Sequence, residues 1–159
     1  MKIDIICVGK LKEKYLREAC AEYEKRLSGY CRLAVFEVSD EKTTEGASQG
    51  LVRQILEAEA VRLQKYLSDT AFIITLEIEG EQKSSVELAD HIEKLKVGGV
   101  SHIQFVIGGS LGLSDSIIKR SRLHLSFSRL TFPHQLARVI LLEQLYRVFR
   151  INAGEPYHK

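Results

Sequence analysis

The sequence predicts an α/β fold in which a mostly parallel sheet is flanked by helices. Short apolar segments alternate along the chain with longer segments in which apolar residues recur every three or four positions. The run 71–76 is apolar and rich in β-branched residues, which is typical of a strand buried on both faces of a parallel sheet. With 159 residues the chain is long enough to bury a core, and we expect one domain over residues 1–159.

In the first half of the chain, turn residues separate the predicted elements. Gly9 ends the first strand, and aromatic or small apolar residues then recur every fourth position from Tyr15 to Leu27. The polar, glycine-containing segment 39–50 predicts a loop before the second helix. The strands are predicted at residues 3–8, 33–38, 71–76, 102–107 and 124–126. The helices are predicted at residues 12–27, 51–67, 85–97, 115–120 and 133–151.

Small hydroxyl residues mark the expected helix starts in the second half. Ser85 is expected to cap the third helix, Ser114 the short fourth helix and Thr131 the last one. Pro133 suits the first turn of that last helix, because proline is tolerated there.

The last predicted helix is apolar around most of its circumference. Only Glu143, Arg147 and Arg150 form a clear polar strip. A helix of this kind either lies centrally in its domain or packs a second face against a partner, and we expect a homodimer formed through it. Arg138 falls among the apolar positions and needs an anionic or carbonyl partner, which a structural salt bridge or a functional contact could each supply.

Charge is distributed unevenly along the chain. Residues 117–159 contain eight Lys or Arg and two Glu, whereas residues 1–116 contain fifteen Lys or Arg and nineteen Asp or Glu. A basic C-terminal part favours a polyanionic partner, although a solvated basic face has the same composition.

Several functional classes are disfavoured by what the sequence lacks. The apolar runs are too short to cross a bilayer and no signal-peptide pattern is present, so we expect a cytoplasmic protein that does not contact membranes. Cys7, Cys20 and Cys31 show no metal-ligand spacing, and we expect free thiols and no bound metal.

Three segments of the C-terminal part are candidates for chemistry. The glycine-rich segment 108–112 follows a buried strand and suits either close approach of a ligand or a tight turn. The segment 127–132 contains two Phe, which either plug the core or form a wall for an aromatic ring such as adenine. The tail Tyr157-His158-Lys159 is either frayed or able to stack on a base, hydrogen-bond to it and pair with phosphate.

Motifs along the whole chain resemble the RlmH family, the large-subunit ribosomal RNA pseudouridine N3-methyltransferases of the SPOUT superfamily. The segment Phe132-Pro133-His134-Gln135 and the tail pair Tyr157-His158 are the most specific of them. The others are Val8-Gly9-Lys10-Leu11, Tyr23-Glu24-Lys25-Arg26-Leu27, Ile107-Gly108-Gly109, Leu125-Ser126-Phe127-Ser128, Arg138, Glu143-Gln144 and Tyr146-Arg147.

The resemblance implies a C-terminal trefoil knot, a homodimer and S-adenosylmethionine (SAM) as the methyl donor. It implies a substrate pseudouridine in 23S rRNA, methylated at N3 within the assembled ribosome. The cofactor contacts that it implies are Leu76, Gly108, Phe127, Ser128, Arg129, Leu130, Thr131 and Phe132. On this basis we expect Gly108→Val to abolish SAM binding without unfolding the protein.

The implied reaction requires loss of the proton on N3, which a general base or a hydrogen bond to the developing oxyanion would assist. The candidates are Tyr157, His158, His134 and Arg138, and the sequence does not rank them. Two other functions stay open: an RNA-binding module of the same fold without catalysis, and a related knotted methyltransferase that acts on transfer RNA.

Overall fold

Residues 1–157, which the computed structural model describes, form five strands and five helices in alternation. The strands are β1 (Lys2–Val8), β2 (Arg32–Val38), β3 (Phe72–Gln82), β4 (His102–Ile107) and β5 (Leu123–Ser126). The helices are α1 (Lys14–Leu27), α2 (Gln49–Gln64), α3 (Ser85–Val97), α4 (Asp115–Ile118) and α5 (His134–Asn152). The predicted α/β class is confirmed.

All five strands run parallel in one sheet, in the order β2-β1-β4-β3-β5. The carboxyl ends of the strands therefore lie along the same edge, which we call the carboxyl edge. β1 and β4 occupy inner positions, where Ile6 pairs with Val106. Both are apolar along most of their length, because an inner parallel strand is covered on both faces.

Helices cover both faces of the sheet, so two hydrophobic cores form. On one face α1, α3 and α5 pack over side chains such as Ile5 and Phe105. On the other face α2 and α4 pack over side chains such as Ile6 and Val106. Successive side chains of one strand thus enter different cores, as the pleat of a strand requires.

α5 lies between α1 and α3 and also contacts β4. Its Leu141, Leu142, Leu145 and Val148 are fully buried; each such side chain contributes about 1.5–3 kcal/mol to stability. Of the two explanations offered for its broad apolar surface, a central position in the domain is therefore confirmed. None of the helices in residues 1–157 combines the length and the hydropathy that a membrane span requires.

Two of the predicted helix caps are wrong. Ser84, not Ser85, caps α3, because its hydroxyl accepts the Glu87 N–H while the Glu87 carboxylate accepts the Ser84 N–H. Thr131 does not cap α5, since Pro133 occupies the cap position and no side chain there accepts a hydrogen bond. The predicted cap Ser114 is confirmed, with its hydroxyl accepting from the Ile117 N–H.

β3 is longer than predicted and continues to Gln82. It first pairs with both neighbours, then bulges between Leu76 and Glu81, and finally pairs with β5 again. A bulge adds residues that have no partner in the ladder, which hides the alternation that marks a strand in sequence.

Candidate active site

The segment 127–133, here called the crossing segment, joins β5 to α5. It starts at the end of β5, and the ring of His134, which follows it, lies over Gly9 at the end of β1. β5 and β1 are three positions apart in the sheet, or about 14 Å at the usual strand spacing of ~4.8 Å. An extended chain covers about 3.3 Å per residue, so this segment can span the gap. It therefore passes the carboxyl edge where Leu76 and Gly108 lie.

The start of the crossing segment is fixed by side chains and by close backbone packing. The buried Ser126 hydroxyl can donate to the carbonyl oxygens of Ile78, at 2.8 Å, and Ser128, at 3.0 Å. A Cβ at Gly80 would lie 2.7 Å from the His124 carbonyl oxygen, so only glycine fits where the extended β3 passes β5. The base of the segment is therefore rigid.

Further along, the backbone of the crossing segment is open. The Leu130 N–H donates to the Ser128 hydroxyl, at 3.0 Å. The backbone groups of Arg129, Thr131 and Phe132 form no hydrogen bond within the described part of the chain. Arg129 also lines a cleft of about 450 Å³, together with Ile78, Glu79, Gly80 and Gln82. Unpaired backbone donors and acceptors beside a cleft can pair with the polar edge of a heterocyclic ligand.

The two Phe side chains of the crossing segment differ in their surroundings. Phe127 is half-buried and packs on the core formed with α1, α3 and α5. Phe132 is half-buried and packs on neither core. The explanation that a Phe plugs the core therefore holds for Phe127, and only Phe132 is left as a wall for a ligand.

The glycine-rich segment after β4 is a closed turn. The Gly112 N–H donates to the Gly109 carbonyl, at 3.1 Å, and Gly112 has a φ of +87°. A Cβ at Gly108 would overlap the Gly112 carbonyl. The side chain in Gly108→Val would therefore clash with the backbone of the turn. This geometry conflicts with our expectation that the variant leaves the protein folded.

Arg138 is buried and its guanidinium is held at the carboxyl edge. Its Nη1 donates to Glu37 Oε2 at 2.8 Å, and its Nη2 donates to the Gly9 carbonyl at 3.1 Å. Its Nε has no hydrogen-bond partner among residues 1–157. Both an anionic and a carbonyl partner are present, so Arg138 forms a structural ion pair with Glu37.

His134 lies at the first position of α5, with its Nε2 so close to Gly9 that a Cβ there would be 2.8 Å away. Burial lowers the pKa of His134, and the charges of Arg138 and Lys12 lower it further, while Asp40 opposes them. The imidazole is therefore neutral near pH 7 and can accept a proton.

Comparison with known proteins identifies the family. Residues 1–158 match the family described as predicted SPOUT methyltransferases. The chain belongs to the SPOUT methyltransferase family. A relative from Bifidobacterium adolescentis, named ribosomal RNA large subunit methyltransferase H, is 61% identical and is aligned over 100% of both chains. A relative of the same name from Bacillus cereus is 54% identical, also over 100% of both chains. The resemblance stated from the sequence is confirmed.

A solved structure was also found. It is a protein from Legionella pneumophila in complex with the bound cofactor SAM, and it is 11% identical to this chain. The alignment covers 96% of this chain and 66% of that one, with a TM-score of 0.49. A similarity of this size is too low to fix a fold or a ligand.

In this SPOUT methyltransferase Tyr157 packs back against α5. The Tyr157 hydroxyl donates to Glu143 Oε1 at 3.3 Å, and the Arg147 guanidinium carbon lies 4.7 Å from the Tyr157 ring centroid. Burial raises the pKa of Tyr157, so its hydroxyl keeps its proton. The tail residue Tyr157 is thus docked on the polar strip of α5.

Among the described residues, the candidates Tyr157, His134 and Arg138 do not form one cluster within a single chain. Glu143, which holds Tyr157, is nine residues beyond His134, or about 13 Å along the helix at 1.5 Å per residue. His134 and Arg138 share Gly9 as a neighbour. His158 lies outside the described residues.

The three cysteines are buried or half-buried. Cys7, Cys20 and Cys31 are free, as predicted. Burial raises their pKa values to about 12, 11 and 11 respectively, so all three remain protonated thiols. Within residues 1–157, no group of three or more His, Cys, Asp or Glu is arranged to hold a metal ion.

Two carboxylates that support the site were missed in the sequence. Glu37 holds Arg138 and also accepts the Leu11 N–H at 3.3 Å. Glu59 is buried in α2, accepts the Glu41 N–H at 3.0 Å and lies under the glycine turn, and burial raises its pKa. Each is a charged residue within an otherwise apolar pattern, and that interruption is the signal that could have found it.

A larger groove of about 550 Å³ lies at the opposite, amino edge of the sheet. None of the candidate site residues within 1–157 lines it, so it is separate from the part of the site that the structure describes. Its lining is Met1, Lys2, Ser28, Gly29, Tyr30, Cys31, Arg32 and Ser101.

Proposed function

We propose that this chain is a SAM-dependent methyltransferase that modifies large-subunit ribosomal RNA, at N3 of a pseudouridine in 23S rRNA of the assembled ribosome. The observation that carries the proposal is the 61% identity, over the full length of both chains, to ribosomal RNA large subunit methyltransferase H. In this proposal residues 1–159 act as one domain, and the enzyme works in the cytoplasm on finished ribosomes.

The proposed SAM site is the carboxyl edge beneath the crossing segment, with contacts from Leu76, Gly108 and the six residues 127–132. The unpaired backbone at Arg129, Thr131 and Phe132 supports it, because such groups can bind the edge of an adenine. A trefoil knot formed by the C-terminal part of the chain belongs to the same proposal. It is compatible with a segment that crosses two strands before α5 begins.

Bound SAM supplies a methyl group on a sulfonium whose leaving group is a neutral thioether. The chain's own residues orient the two reactants and take the N3 proton. His134 suits the second task, because its neutral ring at the end of the crossing segment can accept a proton. Arg138 acts as a positioning residue in this proposal, since it holds the Gly9 carbonyl next to His134.

The tail is proposed to act in a homodimer, on the RNA base and not on the cofactor. Within one chain Tyr157 is docked far along α5 from His134, so we assign the tail to the partner's site. Half-buried side chains of α5, including Tyr146, Phe149 and Ile151, retain surface that a second copy can cover. Sedimentation should give twice the 18.0 kDa chain mass, and a stable monomer would remove this part of the proposal.

One comparison tests the function. Methyl transfer from labelled SAM is measured with assembled ribosomes, free large-subunit RNA and transfer RNA as acceptors. We expect transfer to ribosomes, with the label on N3 of a pseudouridine. Transfer to transfer RNA alone would point to the related tRNA-modifying class. RNA binding without transfer to any acceptor would point to a module that has lost catalysis.

The tail is tested by deletion of residues 157–159. SAM affinity and dimer mass should remain nearly unchanged while methyl transfer collapses, because the deleted side chains are proposed to act on the RNA. His158→Ala alone should slow the reaction about 10²–10⁴-fold if His158 is the general base. Weakened SAM binding with normal turnover of bound ribosomes would make the tail a cofactor lid instead.

A further inference from the structure

The loop that follows β1, residues 9–12, is held rigidly at the carboxyl edge; we call it the rim loop. The Gly9 N–H donates to Val38 and the Lys12 N–H donates to Gln135 Oε1 at 2.9 Å. Arg17 Nη1 donates to the carbonyls of Leu11, at 3.2 Å, and Lys12, at 2.7 Å. Arg138 also donates to the carbonyl of Gly9, the first residue of the loop. The backbone of the rim loop is therefore fixed, and its side chains extend from defined positions.

The rim loop exposes two lysines that form no ion pair with the described part of the chain. Lys10 and Lys12 are exposed, and within residues 1–157 neither ammonium group pairs with a carboxylate. Two lysines of other elements, Lys83 and Lys94, do pair with carboxylates, at 2.6 and 2.7 Å. Lys12 is near the site, because its charge helps to lower the pKa of His134.

The carboxylates around the rim loop leave these lysines available. Glu37 is engaged by Arg138 and by the Leu11 N–H. Glu13 precedes the first turn of α1, where the positive end of the helix dipole favours a carboxylate. The charge of Asp40 acts on His134, where it partly opposes the lowering of the pKa by burial.

A third unpaired cation lies at the other end of the crossing segment. Arg129 is exposed, lines the cleft and forms no ion pair in the described part of the chain. The two ends of the crossing segment lie at strands three positions apart in the sheet. At the usual spacing of ~4.8 Å between strands, the ends are about 14 Å apart. About four stacked nucleotides cover that length at ~3.4 Å each, so a target nucleotide between the ends has neighbours on both sides.

We propose that Lys10 and Lys12 on one side, and Arg129 on the other, bind phosphates of the substrate RNA that flank the target nucleotide. The inference rests on the proposed function and adds to it a docking surface. Phosphate contacts set the position and orientation of a nucleic acid without reading its sequence. A rigid loop suits this task, because little ordering is needed when the RNA binds.

The test compares the double variant Lys10→Ala/Lys12→Ala and the variant Arg129→Ala with wild type. Equilibrium binding to ribosomes and to free large-subunit RNA is measured between 50 and 200 mM salt, apart from methyl transfer. Each lost phosphate contact should reduce the slope of log affinity against log salt by about 0.7–0.9. The double variant should therefore lose about 1.4–1.8 of that slope.

Lys94→Ala/Lys96→Ala is the matched control, because it removes two exposed lysines of α3 that pair with carboxylates. It should leave the slope unchanged, and calorimetric SAM affinity should be unchanged in the double rim variant. An unchanged slope in both test variants would overturn the inference.

A loss seen with ribosomes but not with free RNA would also overturn it, because the lysines would then contact a ribosomal protein. Binding by wild type without methyl transfer would instead contradict the proposed function and leave the binding slopes to decide the docking surface.

Discussion

The rim loop and the crossing segment meet at the start of α5, yet their backbones are used in opposite ways. In the rim loop the backbone groups of Gly9, Leu11 and Lys12 are hydrogen-bonded to neighbouring elements. In the crossing segment those of Arg129 and Thr131 form no hydrogen bond within the described residues.

This difference divides the work of the site. A backbone whose polar groups are already paired can act on a ligand only through its side chains. A backbone whose polar groups have no protein partner is satisfied by water in the free protein and can exchange that water for a ligand. Variants in and beneath the rim loop should therefore change stability and RNA binding, whereas variants that disturb the backbone of the crossing segment should change cofactor binding.

Arg138→Ala should have the largest effect on stability, because it removes the side chain that links the rim loop to Glu37. It leaves the Gly9 carbonyl and the Glu37 carboxylate without their partner. We expect a loss of about 3 kcal/mol in the free energy of unfolding, the lower end for a broken buried pair, because Glu37 keeps some contact with water. Urea unfolding measures it.

Arg138→Lys is the informative companion variant, since lysine keeps the charge but lacks the fork that reaches two acceptors. It should fall between wild type and Arg138→Ala. The exposed pair variant Lys94→Ala should cost no more than about 1 kcal/mol. If Arg138→Ala and Lys94→Ala lowered the free energy of unfolding equally, the stability of the rim loop would not depend on the buried ion pair between Arg138 and Glu37.

Gly108→Ala should come next, because a Cβ at that position overlaps the Gly112 carbonyl. Forcing an extra group into packed backbone costs typically about 1–3 kcal/mol. Gly50→Ala is the control, since Gly50 lies in α2 with open space around it, and alanine should stabilise a helix there by about 0.5–1 kcal/mol. Opposite signs in thermal unfolding would support a steric need for glycine at 108. A neutral Gly108→Ala would mean that the turn opens easily.

Much of the fold could be predicted because local periodicity and turn residues mark most elements. The failures share a cause: a partner distant in sequence decided the outcome. β3 continues to Gln82 only because β5 pairs with it again beyond the bulge. The start of α3 was an exception, since the capping pair Ser84 and Glu87 was present in the sequence and could have been recognised.

The site was less predictable from local pattern. Leu76 and Gly108 stand 32 residues apart in the chain, and only the order of strands brings their ends to one edge. The resemblance to a known family supplied those positions, but it did not include Glu37 or Glu59. A lone acid in an apolar segment is ambiguous until its partner is known, here Arg138, 101 positions away in the chain from Glu37.

Ser126→Ala tests the crossing segment, where we expect a smaller effect on stability than at the rim loop. The variant removes the hydroxyl that can donate to the Ile78 and Ser128 carbonyls, for a loss of about 1 kcal/mol. SAM affinity should fall as well, because the base of the open segment loses its anchor, and calorimetry measures it. Arg138→Lys should leave SAM affinity nearly unchanged. If Ser126→Ala altered stability but not SAM affinity, the assignment of cofactor binding to the crossing segment would be wrong.

The smallest predicted effect concerns His134 and acid. Burial lowers the pKa of His134 in the folded protein, so below pH 6.5 the unfolded chain binds more protons than the folded one. Stability from this residue is therefore constant above about pH 7 and falls on acidification, by at most about 1.4 kcal/mol per pH unit. His134→Gln removes the titration, whereas His91, whose pKa is also lowered, is present in both proteins and cancels. The wild-type advantage over His134→Gln should shrink between pH 7 and pH 5 in denaturant unfolding. Parallel pH curves would show that His134 is as well solvated as in the unfolded chain, and the proposed neutral base would lose its support.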